Sequence, residues 1–128
     1  MALNYIVADD SLFARYFIKS ALKDIDPDAI IHEASSGEKV LEISLNNDID
    51  WYLLDINMEE PDGIKVAKEL IDKGVDVAKI ALITGNKSND LMTQAEEMGV
   101  AYLQKAIGPN EVVSFVVSLR NFFEGACV

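Results

Sequence analysis

Trp51-Tyr52-Leu53-Leu54-Asp55 is an apolar run that stops on an acid. A short apolar stretch of this kind reads as a buried strand, and a carboxylate at its carboxyl end calls for a chemical reason. The pattern recurs on both sides. Upstream, Leu3-Asn4-Tyr5-Ile6-Val7-Ala8 runs into Asp9-Asp10; downstream, Ile80-Ala81-Leu82-Ile83 ends on Thr84, and Tyr102-Leu103-Gln104 ends on Lys105. In an open parallel sheet, ligands bind in the crevice beyond the carboxyl ends of the strands. The five polar residues Asp9, Asp10, Asp55, Thr84 and Lys105 are therefore read as one site assembled from four strand ends.

The segments between these runs have helical periodicity. Ser11 is placed to cap a helix reaching about residue 25, in which Ala14, Phe17, Ile18, Ala21, Leu22 and Ile25 recur on one face. Asp26-Pro27-Asp28 breaks it, and a short strand over residues 29–33, holding His32, leads to Ser36-Gly37 and a second helix ending near Asn46-Asn47. Pro61-Asp62-Gly63 turns into a helix over residues 64–73, with Gly74 where a helix-closing glycine belongs. Residues 79–83 read as the fourth strand, residues 88–98 as a helix closed by Gly99, and residues 101–104 as a fifth strand. Pro109 sits where a first-turn proline opens a last helix to about residue 123. Five β/α pairs with short connections predict an α/β fold: a single doubly wound (βα)5 sandwich with a five-stranded parallel sheet and helices on both faces.

Composition narrows the function classes. The 128 residues suit one domain, with 50% hydrophobic and 26% charged residues, a globular balance. Acidic residues outnumber basic ones 22 to 11, a net charge of -11, which opposes direct binding to DNA phosphates. The single cysteine, Cys127, has no internal disulfide partner. No signal-peptide pattern and no apolar run long enough to span a membrane is visible, so a cytoplasmic protein without membrane contact is expected. Residues 1–128 read as one domain with no output domain visible. Neither G-x-G-x-x-G nor G-x-x-x-x-G-K-[ST] follows any strand, which disfavours nucleotide binding. Five β/α pairs also leave no room for the cap of a small-substrate phosphatase.

Three carboxylates at one crevice repel one another, and a hard divalent cation is the simplest remedy. Carboxylate oxygens with retained waters suit Mg²⁺. Asp55 fits a nucleophile toward phosphorus, with Lys105 and Thr84 able to hold phosphoryl oxygens.

In order and spacing, Asp9-Asp10, the run Asp55-Ile56-Asn57-Met58 closing on Asp62-Gly63, Thr84-Gly85, and Tyr102-Leu103-Gln104-Lys105 resemble the CheY-like receiver domain of two-component response regulators. The resemblance covers essentially the whole chain. It implies a flavodoxin-like strand order 2-1-3-4-5 and phosphorelay signalling. By the same resemblance, Asp55 is the phosphoacceptor; Asp10, Asp55 and the backbone carbonyl of Asn57 ligate Mg²⁺, or Mn²⁺, while Asp9 helps through water. Thr84 and Lys105 bind the phosphoryl group, and Thr84 with Tyr102 forms the switch. The implied partners are a sensor histidine kinase or histidine phosphotransfer protein and a downstream protein target. The domain would act as a phosphoacceptor that self-phosphorylates and autodephosphorylates, not as a metabolic enzyme.

Three departures from the family pattern stand out. Ala106 follows Lys105 where a proline in a cis peptide is usual, so a trans bond is expected there. Glu59 replaces a customary proline, with Pro61 nearby, which predicts a differently shaped loop carrying extra negative charge. The segment from Gly99 to Lys105 is one residue short. The first two keep a second reading open, a receiver-like module that binds partners or dimerises without phosphorylation.

Two surfaces are singled out. Leu12, Phe13 and Tyr16 fall outside the core stripe of the first helix and beside the acidic residues, which suits docking of a phosphodonor. In the last helix Val112, Phe115, Val116, Leu119 and Phe123 form a core stripe, while Val113, Val117 and Phe122 widen it into either a broader buried face or a homodimer surface. Trp51, in the strand that ends on Asp55, is a candidate fluorescence reporter of Mg²⁺.

Overall fold

The computed structural model describes residues 2–85, 88–105 and 111–125. Pro109, Cys127 and the Lys105–Ala106 peptide lie outside the described residues.

Strands β1 (Asn4–Ala8), β2 (Ile30–Ala34), β3 (Trp51–Asp55), β4 (Ile80–Thr84) and β5 (Ala101–Gln104) alternate with helices α1 (Leu12–Ile25), α2 (Gly37–Asn46), α3 (Gly63–Asp72), α4 (Asn89–Met98) and α5 (Val112–Glu124). All paired strands are parallel, in the order β2-β1-β3-β4-β5, as expected. The inner strands β1, β3 and β4 read as near-continuous apolar runs because both faces of a parallel sheet are covered. Their side chains nevertheless divide with a period of two. Ile6, Ala8, Tyr52, Leu54, Ile80 and Leu82 pack toward α2, α3 and α4. Tyr5, Val7, Leu53, Ala81 and Ile83 pack on the other face toward Ile18 and Leu22 of α1 and Phe115 and Leu119 of α5.

Local chemistry explains the boundaries. Helices α1, α2, α3 and α4 open on Ser11, Ser36, Asp62 and Ser88, whose side chains accept the N–H groups of Ala14, Lys39, Lys65 and Leu91. Each satisfies a donor that the first turn leaves unpaired. Gly74 and Gly99 follow α3 and α4 at φ 98° and 81°, a left-handed backbone that glycine adopts without a Cβ penalty.

Two expectations require correction, the start of β4 and the place of Val112 in the core stripe of α5. Lys79 belongs to a single 3-10 turn, Val77–Lys79, opened by the Asp76 carboxylate; the strand starts at Ile80. Of the two readings left open for Phe122, the broader buried face holds: it lies in the core with Phe115 and Leu119, because this i, i+4, i+7 stripe faces the sheet and Phe122 packs edge-on against Trp51 at 5.2 Å. Val112, expected in the core stripe, is instead exposed at the first residue of α5, where it lines a groove with Phe13 and Tyr16 of α1; Val113 and Val117 are exposed as well. Among the described residues no helix is long and apolar enough to cross a membrane.

Candidate functional site

Strand order reverses between β1 and β3, so the loops leaving their carboxyl ends part and open a crevice. Asp9 follows β1, and Asp55 is itself the last residue of β3, where Ala8 and Leu54 are in register. Both are buried, at 1% and 4% exposure, while Asp10 is exposed. Carboxylate oxygens of Asp9, Asp10 and Asp55 lie within 4.8 Å of one another. Among the described residues, the sequence-predicted acidic triad is thus brought together.

Lys105 crosses to it from the far side of the sheet. Its amide N–H donates to the Thr84 carbonyl at 2.6 Å, extending the β4–β5 pairing by one residue, and its Nζ reaches Asp9 Oδ2 at 2.6 Å and Asp55 Oδ1 at 3.6 Å. The lysine side chain is 14% exposed, so the pairing takes place largely away from solvent, where charge interactions are strong. Thr84 ends β4 fully buried. Tyr102 is half-buried on β5 and packs against the core cluster that includes α4. Asn57 is exposed just beyond β3.

The Asp55 carboxyl is raised to about 6, chiefly by burial and then by the Asp9 charge; Lys105 and a backbone hydrogen bond from Asn57 oppose the rise. Loss of water disfavours the anion, and two neighbouring acids add to the cost. A donor set of three clustered carboxylates, one of them held up in this way, fits a hard divalent cation.

Loop packing aims these groups. The Asp9 amide donates to the Ala34 carbonyl at 3.0 Å, and Asp9 Oδ1 accepts the Ser11 amide at 2.9 Å. The Gly63 N–H bonds the Ile56 carbonyl at 3.1 Å, and a Cβ at Gly63 would lie 2.3 Å from the carbonyl oxygen of Asp55. Helix α3 therefore starts directly on the Asp55 backbone, which is the physical reason for the Asp62-Gly63 pair. In the intervening loop the Glu60–Pro61 peptide is cis, and a Cβ at Gly37 would lie 2.1 Å from the Pro61 carbonyl, so this loop is packed tightly on the start of α2. Glu59 is exposed, and Glu60 pairs with Lys65 at 2.6 Å.

Sequence reasoning missed Arg15 and Glu33. Arg15 Nη1 donates to the backbone carbonyl of Asp9 at 2.6 Å and Nε to Glu33 at 3.2 Å, while Lys19 reaches the other Glu33 oxygen at 3.0 Å. Lys19 first and then Arg15 hold the Glu33 carboxyl below its ordinary value, against the opposing effect of burial. The available signal was the i, i+4 basic pair beside the core stripe of α1.

Leu12, Phe13 and Tyr16 are 71%, 65% and 67% exposed, as their positions suggested. Phe13 and Tyr16 line a groove with Phe17, Ala21 and Val112, which joins the exposed start of α5 to the α1 patch. Trp51 is poorly placed as a reporter: it opens β3 at the end opposite Asp55, roughly 13 Å away at strand rise, packed edge-to-face with Phe122 and Phe123.

Residues 5–117 match the model of the response regulator receiver domain. The chain is 31% identical over 124 residues to response regulator UvrY of Escherichia coli strain K12, covering 96% of this chain and 55% of UvrY. It is 25% identical over 108 residues to the nitrate/nitrite response regulator protein NarL of the same strain, covering 84% and 50%. The chain thus spans about half the length of the curated relatives it matches. Among solved structures, the Mn²⁺-bound form of response regulator Rcp1 superposes with TM-score 0.80 at 18% identity over 94% of each chain. The response regulator domain of Thermotoga maritima CheB gives 0.79 at 20% identity, covering 100% of this chain and 98% of that one. At these identities the two structures speak for the fold.

Proposed function

The chain belongs to the response regulator receiver domain family, and on that premise we propose that Asp55 is the residue that accepts the phosphoryl group. The carrying observation is the clustering of Asp9, Asp10 and Asp55 within 4.8 Å with the Lys105 ammonium at 2.6 Å from Asp9 and 3.6 Å from Asp55. Receiver domains bind a divalent metal; here Asp10, Asp55 and the Asn57 carbonyl would hold Mg²⁺, or Mn²⁺, with Asp9 acting through water. When bound, the cation supplies positive charge that lets carboxylates and a phosphoryl group approach one another.

The chain's own residues do the positioning. With its carboxyl near 6, Asp55 is mostly ionised at pH 7. Its oxygen forms a P–O bond as the P–N bond of a donor phosphohistidine breaks, and the leaving imidazole nitrogen takes the electron pair and then a proton. Lys105 and Thr84 take the phosphoryl oxygens. Water later attacks phosphorus, which releases phosphate and restores the carboxylate. Movement of Thr84 onto the phosphoryl group, with Tyr102 following, would change the α4–β5–α5 surface that a downstream partner reads. Val113 and Val117, exposed on α5, suit such a partner or a second copy of the chain. The phosphodonor is a sensor histidine kinase or a histidine phosphotransfer protein, in the cytoplasm.

Incubation with acetyl phosphate and Mg²⁺ is expected to add one phosphoryl mass, labile in base and mapping to Asp55. A base-stable label, or a label that persists in D55N, overturns the assignment. No label despite Mg²⁺ binding favours the phosphorylation-independent module instead. Changing Leu12, Phe13 and Tyr16 to serine is expected to slow transfer from a histidine-containing protein donor about tenfold, the scale of one or two kcal/mol of lost contact, while leaving acetyl phosphate labelling unchanged. Equal slowing of both reactions removes the docking role.

A further inference from the structure

Asp9 is gripped at four points, and one grip comes from the side chain of a residue outside the acidic site. Its N–H is held by the Ala34 carbonyl, its Oδ1 by the Ser11 amide, its Oδ2 by Lys105, and its backbone carbonyl by Arg15 at 2.6 Å. That carbonyl shares one planar peptide unit with the amide of Asp10. Fixing its oxygen therefore fixes the direction in which the chain enters Asp10, the one exposed member of the triad.

Arg15 is suited to the task. Its side chain is only 14% exposed. Its planar guanidinium donates from Nη1 to Asp9 and from Nε to Glu33 at 3.2 Å. Glu33 is anchored in turn by Lys19 at 3.0 Å, and it precedes Ala34, whose carbonyl takes the Asp9 N–H. The β1–α1 loop is thereby tied to β2 through two adjacent residues.

Building on the cation site proposed above, we infer that Arg15 is a positioning residue for divalent-cation binding: it clamps the Asp9–Asp10 peptide against Glu33 and so aims Asp10. Supporting groups behind metal ligands commonly change metal affinity by about 10- to 100-fold when removed.

The sign of the effect distinguishes this role from simple charge. A cation beside three carboxylates repels a second cation, so loss of the Arg15 charge alone would tighten Mg²⁺ binding. Loss of the clamp weakens it. Calorimetric titration of the 128-residue chain with MgCl₂ at pH 7 is expected to show R15Q binding about tenfold more weakly than wild type. R15K keeps the charge but lacks the planar fork and is expected to bind more weakly than wild type by a smaller factor. Unchanged or tighter binding by R15Q overturns the role, and if R15Q does not fold, wild-type affinity in R15K overturns it. D10N separates the two levels. Undiminished Mg²⁺ affinity in D10N defeats the cation site itself, whereas weakened D10N with unaffected Arg15 variants defeats only the clamp.

Discussion

In EDTA at pH 7, D55N is expected to unfold at higher urea than the wild type, with a gain in stability of up to about 3 kcal/mol, at about 1.4 kcal/mol per pKa unit. The Asp55 carboxyl rises from 3.8 to about 6 in the folded chain, chiefly through burial and then through Asp9. A raised acid binds more protons folded than unfolded between these values, so the wild type loses stability as pH climbs from about 4 to about 6 and stays lowered above that range. Asparagine is neutral throughout and escapes this loss. The advantage of D55N should therefore shrink to under about 1 kcal/mol at pH 4. Mg²⁺ should stabilise the wild type by mass action and do much less for D55N. A variant less stable than wild type at pH 7, or a gain that ignores pH, would show that Asp55 is not the strained acid of the site. The same substitution also removes the proposed phosphoacceptor, so chemistry and stability oppose each other at this one residue.

What the sequence revealed depended on whether a residue acts through its side chain or through the backbone. Asp9, Asp55 and Thr84 were visible because polar side chains at the ends of apolar runs stand out, and their burial is what the run predicted. The five-stranded order followed from regular alternation joined to the family resemblance. Arg15 stayed hidden because its target is a backbone carbonyl, which every residue possesses and no pattern marks. Lys79 was drawn into β4 because apolar runs have soft edges, whereas the Asp76 side chain opens a 3-10 turn there. The stripe on α5 was centred about a fifth of a turn away from Phe122, since an almost wholly apolar helix carries little information about which face is buried; Trp51, supplied by a distant strand, decides it. With Phe122 buried, the partner surface narrows to Val113 and Val117, and Val112, exposed rather than in the core, joins the α1 groove.

Removal of Lys105 should act in the opposite sense to D55N. In K105M the Asp9 carboxylate, 1% exposed, loses the ammonium 2.6 Å from its Oδ2 and keeps the Ser11 amide on Oδ1. Breaking one side of a buried pair costs about 3 kcal/mol or more, because the remaining charge stays desolvated. Asp55 loses its opposing charge as well, since Lys105 is what holds its carboxyl down against burial and Asp9. The deficit in EDTA should thus exceed the ordinary effect of a surface substitution. It should also be larger at pH 8 than at pH 5.5, where Asp55 can take up a proton and relieve part of the repulsion. Saturating Mg²⁺ should recover most of it, because a cation at the three carboxylates replaces the missing ammonium. Urea titrations of K105M and wild type, with EDTA and with Mg²⁺, test both parts. An equal deficit in the two conditions would mean that the lysine stem contributes packing alone; a deficit that closes only with Mg²⁺ means that Lys105 holds the acidic site together until a cation arrives.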